Sequence, residues 1–256
     1  MIAINRSKKF TEFFDKKNEA RKIDFLVLHH IEANSADHAI SMLQEHKVSS
    51  HFLIDEAGEI FELVDENDVA YHAGVSFWRG FESLNKNSIG IEFMNSAPFK
   101  KKFEEAQMHA GVGLCQYLID KYKIEARNIV GHSDIAYSKG TNLLDRKQDP
   151  SHLFDWNFLA QNAVGIFPKI ELPENDREMF RFGNKALEII TIKKDLQKFG
   201  YRLLNDSNEF DEEFQMIVRV FNRRFNPQKF AENSDIWYAS SQLILQDLNV
   251  VEVFFE

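Results

Sequence analysis

Apolar positions follow two regimes along the chain, and the change between them falls near Pro168. Before it, short β-branched and aromatic runs alternate with helical stripes. Asp24–His30 (DFLVLHH) lacks polar alternation, as expected of a strand buried on both faces. Ser35 is placed to cap a helix in which Ala39, Ile40 and Leu43 recur at helical spacing. HFLID, EAGE and IFELV predict two strands joined by a glycine-containing turn. SIGIEFMN alternates, with Ile89, Ile91 and Phe93 on one face and Gly90, Glu92 and Met94 on the other. Met108, Val112, Cys115, Leu118, Ile119 and Tyr122 form the stripe of a helix within Phe103–Tyr122. NIVGH is another short strand, ending at His132, and DWNFLAQNAVG reads as a helix stopped at Gly165. The long connection from Asp65 to Asn87 carries no comparable pattern, and such lengths are uncommon without function, so it is a candidate wall of a site.

Beyond Pro168 the strand signals cease. Pro168 and Pro173 mark a linker, and three stretches, at about 186–199, 211–225 and 234–248, carry helical spacing. The pattern predicts an N-terminal extension (1–22), an α/β domain (23–168), a linker (169–175) and a small three-helix bundle (176–256).

Composition narrows the classes. With 256 residues, 44% hydrophobic and 28% charged, the chain can bury an ordinary globular core. A formal charge of −9 supplies no general field for nucleic acid or an anionic membrane. One cysteine, Cys115, excludes an intramolecular disulfide and a four-thiolate zinc site, and its place on a helix stripe predicts a core role. No apolar run reaches the roughly 20 residues of a spanning helix. The opening MIAINRSKKFTEFFDKKNEARK mixes charges and lacks the apolar core of a secretory signal, which predicts a cytoplasmic protein, with a periplasmic or wall-associated one as the alternative.

The chemistry-bearing residues lie at the ends or middles of the predicted strands. His29 or His30, Glu92, His132 and the run RKQDPSHLFDW offer two imidazoles, a carboxylate and a spare glutamate. Those are the parts of a catalytic zinc site, with three protein ligands, an open position and a base. Alternation alone does not choose between His29 and His30.

FLVLHHIEA, VSSHFLID, AYHAGVSFWRG, LNKNSIGIEFMN, NIVGHSDIA and RKQDPSHLFDW, in that order, resemble the zinc-dependent N-acetylmuramoyl-L-alanine amidases of the AmpD type, relatives of the peptidoglycan recognition proteins. The resemblance spans about Asp24 to Pro168. It implies a central mixed β-sheet flanked by helices and one Zn2+ per chain, held by His29, His132 and Asp149. It further implies Glu92 as general base and then general acid, and Lys147 as the group that stabilises the oxyanion. His72 is expected to line the substrate groove, and Trp78 and Arg79 either contact sugar and peptide carboxylate respectively or are a buried tryptophan and a surface arginine. His51 is expected to support the fold or orient a ligand. Ser50 stands where some relatives carry a tyrosine. Between His132 and Asp149 the stretch YSKGTNLLDR is longer than the family's usual connection, which keeps Asp145 and His152 in view as alternatives to Asp149; the aspartate-proline context before a tryptophan selects Asp149. IKKDLQKFGYRL and FDEEFQMIVRVFNRRFNP resemble a helical peptidoglycan-binding domain, with Asn222 in place of its usual glutamine.

The implied activity is hydrolysis of the amide between N-acetylmuramic acid, or its anhydro form, and the L-alanine of a stem peptide, in wall turnover or recycling. The partner is peptidoglycan or a muropeptide, with no nucleic acid and no membrane span. The rival is a recognition protein that binds peptidoglycan without cutting it, and a complete set of ligands plus a base argues against it.

Overall fold

The computed structural model describes residues 2–10, 12–17, 19–137, 144–202 and 205–250. By contacts between residues the chain divides into two compact units, and neither is continuous in sequence. The first comprises residues 1–74, 83–132 and 149–166; the second comprises 75–82, 133–148 and 167–256.

The first unit is built on a five-stranded sheet. Its elements are β1 (Phe25–Glu32), α1 (Ala36–Glu45), β2 (Phe52–Ile54), β3 (Ile60–Glu62), β4 (Ser88–Asn95), α2 (Glu105–Tyr122), β5 (Ile129–Gly131) and α3 (Trp156–Gln161). The strand order is β3-β2-β4-β1-β5, antiparallel between β3 and β2 and parallel elsewhere. The mixed sheet flanked by helices is the architecture expected from the sequence.

Placement in the sheet explains the two strand patterns. β1 and β4 are central, so both of their faces are covered, and all eight residues of β4 are buried. The Ile face of β4 receives α2. Gly111 of α2 lies against the Phe93 ring, where a Cβ would come within 2.6 Å of it, and Gln107 donates to the Ile54 and Met94 carbonyls. On the opposite face Ile31, Met94 and Leu53 join Ala39 and Leu43 of α1 and Phe10 of the N-terminal segment in one apolar cluster. Ser35 caps α1, its hydroxyl accepting from the His38 amide at 3.2 Å, a contact worth about 1 kcal/mol. Cys115 is buried in α2, and burial pushes its thiol up to about 12, which keeps it an inert apolar filler.

Asn5 and Phe10 tie the N-terminal segment to the sheet edge. Asn5 exchanges backbone hydrogen bonds with Ile60 and Glu62, and the Phe10 amide donates to the Leu63 carbonyl. Phe14–Asp15 pairs with Val69–Ala70 as a two-residue antiparallel ladder.

The second unit gathers β6 (Glu178–Phe180), α4 (Leu187–Phe199), α5 (Glu212–Phe225), α6 (Pro227–Asn233), β7 (Trp237–Tyr238) and α7 (Ala239–Val250). The three predicted helices are α4, α5 and α7. The sequence reading lacked α6 and the antiparallel pairing of β6 with β7. Pro227 occupies the first turn of α6, where a missing N–H costs nothing. Two- and three-residue strands are too short to show a period.

Into this unit fold two stretches that the sequence reading had assigned to the α/β domain. Trp78 is fully buried, with the Phe199 and Tyr201 rings edge-on at 5.7 and 5.0 Å between centroids. Gly200, at φ 145°, is obligatory here, because a Cβ would lie 2.9 Å from the indole. Asp134 is 1% exposed and paired with Arg224, itself 3% exposed, while Asp145 is held by Arg223 and by Arg219 at 3.0 Å. The three arginines come from α5, whose other face buries Phe214, Ile217, Val218 and Phe221.

Among the described residues no helix is long and apolar enough to cross a membrane.

These pairs generate a stability prediction. Arg224→Met leaves the Asp134 carboxylate buried without its cation, and the expected loss is about 3–5 kcal/mol, read from urea or guanidinium unfolding. A midpoint equal to the parent's would show that the pair contributes nothing. A fragment ending at Pro168 removes the partners of Trp78, Asp134 and Asp145 together, so it should be cut by protease far faster than the full chain.

Candidate active site

Parallel register sets the site. His29 of β1 pairs with Glu92 of β4, and Leu28 pairs with Gly131 of β5, so His132, the next residue, stands level with His29. Register partners in a parallel sheet point to the same face. One face therefore presents His29, Glu92 and His132. His30 points the other way, between the Phe99 and Phe103 rings, and its Nδ1 accepts from the Ser151 amide. It takes no part in the cluster.

The loop after the second unit's segment 133–148 returns Asp149 to the same point. His29 Nδ1, His132 Nδ1 and Asp149 Oδ2 form a nearly equilateral triangle with edges of 3.1, 3.0 and 3.1 Å. These three residues are the group of His, Cys, Asp or Glu side chains that could hold a metal ion among the described residues. Burial pushes the Asp149 carboxyl up, but the His132 and His29 imidazoles outweigh it and hold the group well below the usual carboxylate range. A partly buried carboxylate facing two buried imidazoles is a cation-binding arrangement. Glu92 is buried beside it, with Oε1 4.0 Å from His29 Nδ1.

Both histidines are oriented from behind. Ligation through Nδ1 requires the proton on Nε2, and each Nε2 has an acceptor. His132 Nε2 lies 3.2 Å from the Ala73 carbonyl, and His29 Nε2 lies 3.1 Å from His72 Nδ1. The relay continues, since His72 Nε2 lies 3.1 Å from Ser88 Oγ, whose hydroxyl donates to the Leu84 carbonyl at 2.6 Å. Every donor in this chain meets an acceptor when all the imidazoles are neutral. Burial is the main cause that holds His72 neutral, well below its ordinary value, with the neighbouring His29 next.

Space for the His72 ring exists because residue 90 is glycine. A Cβ on Gly90 would meet His72 Cγ at 2.5 Å. His51 flanks the same point, its Nδ1 accepting from the Gly90 amide at 3.0 Å. Burial, then the Arg21 guanidinium, depress the His51 value to about 3.

Several sequence expectations change here. His72 was expected at the substrate, but it is buried behind His29 and supports it. For Trp78, read either as a sugar contact or as a buried tryptophan, the structure shows the buried one, enclosed by Phe199 and Tyr201 in the second unit. Arg79, read either as a peptide-carboxylate contact or as a surface arginine, is in the second unit too, half-buried at φ 48°, its amide donating to the Gly200 carbonyl. Asp145, the alternative ligand, is engaged by Arg219 and Arg223. Lys147 is exposed, two residues before Asp149. Of the long YSKGTNLLDR connection, residues 138–143 lie outside the described ones. The sequence reading missed Ala73 and Ser88. A backbone acceptor leaves no sequence signal; a serine opening a buried strand was the available one.

Comparison with known proteins places these residues in context. Residues 19–152 match the family model of N-acetylmuramoyl-L-alanine amidases. The N-acetylmuramoyl-L-alanine amidase AmiD of Escherichia coli is 32% identical over 245 residues, covering 89% of this chain and 82% of that protein. The 1,6-anhydro-N-acetylmuramyl-L-alanine amidase AmpD of Escherichia coli is 40% identical over 110 residues, which is 43% of this chain and 55% of that one. Among solved structures, E. coli AmiD bound to anhydro-N-acetylmuramic acid-L-Ala-D-gamma-Glu-L-Lys superposes with a TM-score of 0.72 at 28% identity, over 94% of this chain and 93% of that one. AmpDh3 of Pseudomonas aeruginosa gives 0.71 at 26% identity, over 98% and 99%.

The tight contact at residue 90 yields a prediction. Gly90→Ala must displace the His72 ring or the strand, with an expected loss of about 1–3 kcal/mol by chemical denaturation. Unfolding at the parental denaturant concentration would mean that the ring has room to spare.

Proposed function

Because the chain belongs to the N-acetylmuramoyl-L-alanine amidase family, it cleaves the amide between N-acetylmuramic acid and L-alanine, and we propose that a zinc ion held by His29, His132 and Asp149 carries the reaction. The observation behind this reading is the Nδ1, Nδ1, Oδ2 triangle with Glu92 beside it. Its edges suit the metal, since tetrahedral ligands 2.0–2.1 Å from zinc lie about 3.3 Å apart. Two neutral imidazoles and one carboxylate also match the catalytic donor set of three protein ligands. When bound, zinc supplies a Lewis acid that brings the pKa of a water to about 7 and polarises the scissile carbonyl.

The chain's own residues do the rest. Glu92 accepts the proton of the attacking water and returns it to the nitrogen of L-alanine as the C–N bond breaks. Lys147, with its ammonium charge, stabilises the oxyanion of the tetrahedral intermediate. The relay behind His29 and His132 keeps both Nδ1 lone pairs directed at the ion. The substrate proposed is a muropeptide whose sugar is N-acetylmuramic acid or its anhydro form, as in the complex of E. coli AmiD.

Three measurements test this reading. Mass spectrometry of sacculi and of soluble anhydro-muropeptide incubated with the protein should show free stem peptide, and a chelator should abolish its release. Turnover indifferent to chelator would remove the metal from the mechanism. His132→Ala and Asp149→Ala should each lower zinc content and activity together; full zinc content in Asp149→Ala would move the third ligand elsewhere. Glu92→Gln, nearly isosteric, should retain zinc and fold while turnover falls roughly 100-fold or more. A Gln variant as fast as the parent would assign Glu92 a structural role.

A further inference from the structure

The two acceptors that orient the proposed zinc histidines come from consecutive residues. His72 Nδ1 serves His29 Nε2, and the Ala73 carbonyl serves His132 Nε2. A rotation of this one dipeptide would therefore disturb both ligands at once. Its backbone is not held by a strand, since the Val69–Ala70 ladder ends before it.

Both of its amides meet the same side chain. Asn85 Oδ1 accepts from the His72 amide at 3.1 Å and from the Ala73 amide at 2.7 Å. Asn85 belongs to the 3₁₀ turn Leu84–Asn87 that leads into β4. The same turn supplies the Leu84 carbonyl that ends the His72–Ser88 relay. It is itself secured by Arg21, whose Nη1 donates to the Asn85 carbonyl at 3.2 Å while its Nε donates to the Glu66 carbonyl at 3.0 Å. The His72 side chain is confined on another side by Gly90.

We propose that Asn85 is a positioning residue for the metal centre: by accepting from the amides of residues 72 and 73 it fixes the two acceptors that hold His29 and His132 with Nδ1 free to ligate. The proposal rests on the zinc reading of the site given above. An oxygen acceptor at the right depth is the requirement. An aspartate meets it, a glutamine displaces it by one methylene, and a leucine of similar size lacks it. Partners behind metal-binding histidines are typically worth 10- to 100-fold in metal affinity.

The test is zinc affinity of the full-length protein, by competition with a chromophoric chelator, for the parent and for Asn85→Asp, Asn85→Gln and Asn85→Leu, each checked for folding by circular dichroism and thermal unfolding. The dissociation constant is expected to stay within a few-fold of the parent's in Asn85→Asp and to rise roughly 10- to 100-fold in Asn85→Leu, with Asn85→Gln between them. A residue important only for stability would lower the melting temperature and leave the zinc affinity of the folded protein unchanged. Parental affinity in a folded Asn85→Leu overturns the proposal; if that variant does not fold, parental affinity in Asn85→Gln overturns it instead. A parent that binds no zinc would bring down the reading of the site, whereas a zinc-binding parent with indifferent variants would bring down the role of Asn85 alone.

Discussion

Parallel pairing of β4, β1 and β5 is the constraint on which the rest depends. β1 carries His29, β4 carries Glu92 and His132 follows β5 directly, so register sets Glu92 opposite His29 with His132 level beside them. A slip of one residue in any pair would turn its polar side chain to the face covered by α2. The apolar residues around these three are thus what fixes the register, and the register is what assembles the chemistry. Burial on both faces also removes water from the imidazoles and the carboxylate, so their mutual interactions act in a weakly screening medium.

The sheet was legible because its signals are local. An unbroken apolar run at 25–28 and a clean alternation from Ser88 to Asn95 each determine a strand without reference to anything distant. The choice of His29 over His30 was not legible from pattern alone, since in a strand covered on both faces either neighbour suits either side. Family resemblance selected His29, and the pairing with Glu92 supplies the physical reason. The surroundings of His72 and Trp78 were not legible in the sequence, for a common reason. Both lie in a connection with little regular structure, where nothing in the sequence says whether an aromatic or imidazole ring meets solvent or a wall of protein.

The helical region shows the same limit from the other side. FGYRL could be read as a motif of a peptidoglycan-binding domain, yet Gly200 and Tyr201 have a local task, to enclose Trp78. Asn222, a departure from that motif, donates to the Ser234 and Ile236 carbonyls and accepts from Ser241. Its amide thus fastens the approach to β7 and the start of α7. Such roles depend on residues far away in sequence, and no local pattern carries them.

The discontinuity of the second unit imposes an order in time. Trp78 is synthesised long before Phe199 and Tyr201, and Asp134 long before Arg224. At translation rates of about 5–20 residues per second, the 121 residues from Trp78 to Phe199 take roughly 6–24 s and the 90 from Asp134 to Arg224 roughly 5–18 s. Until those residues are made, an indole and a carboxylate destined for burial lack the partners that receive them. The nascent chain carries both until then, so Asp134 and Asp145 acquire their cations only once α5 has been made.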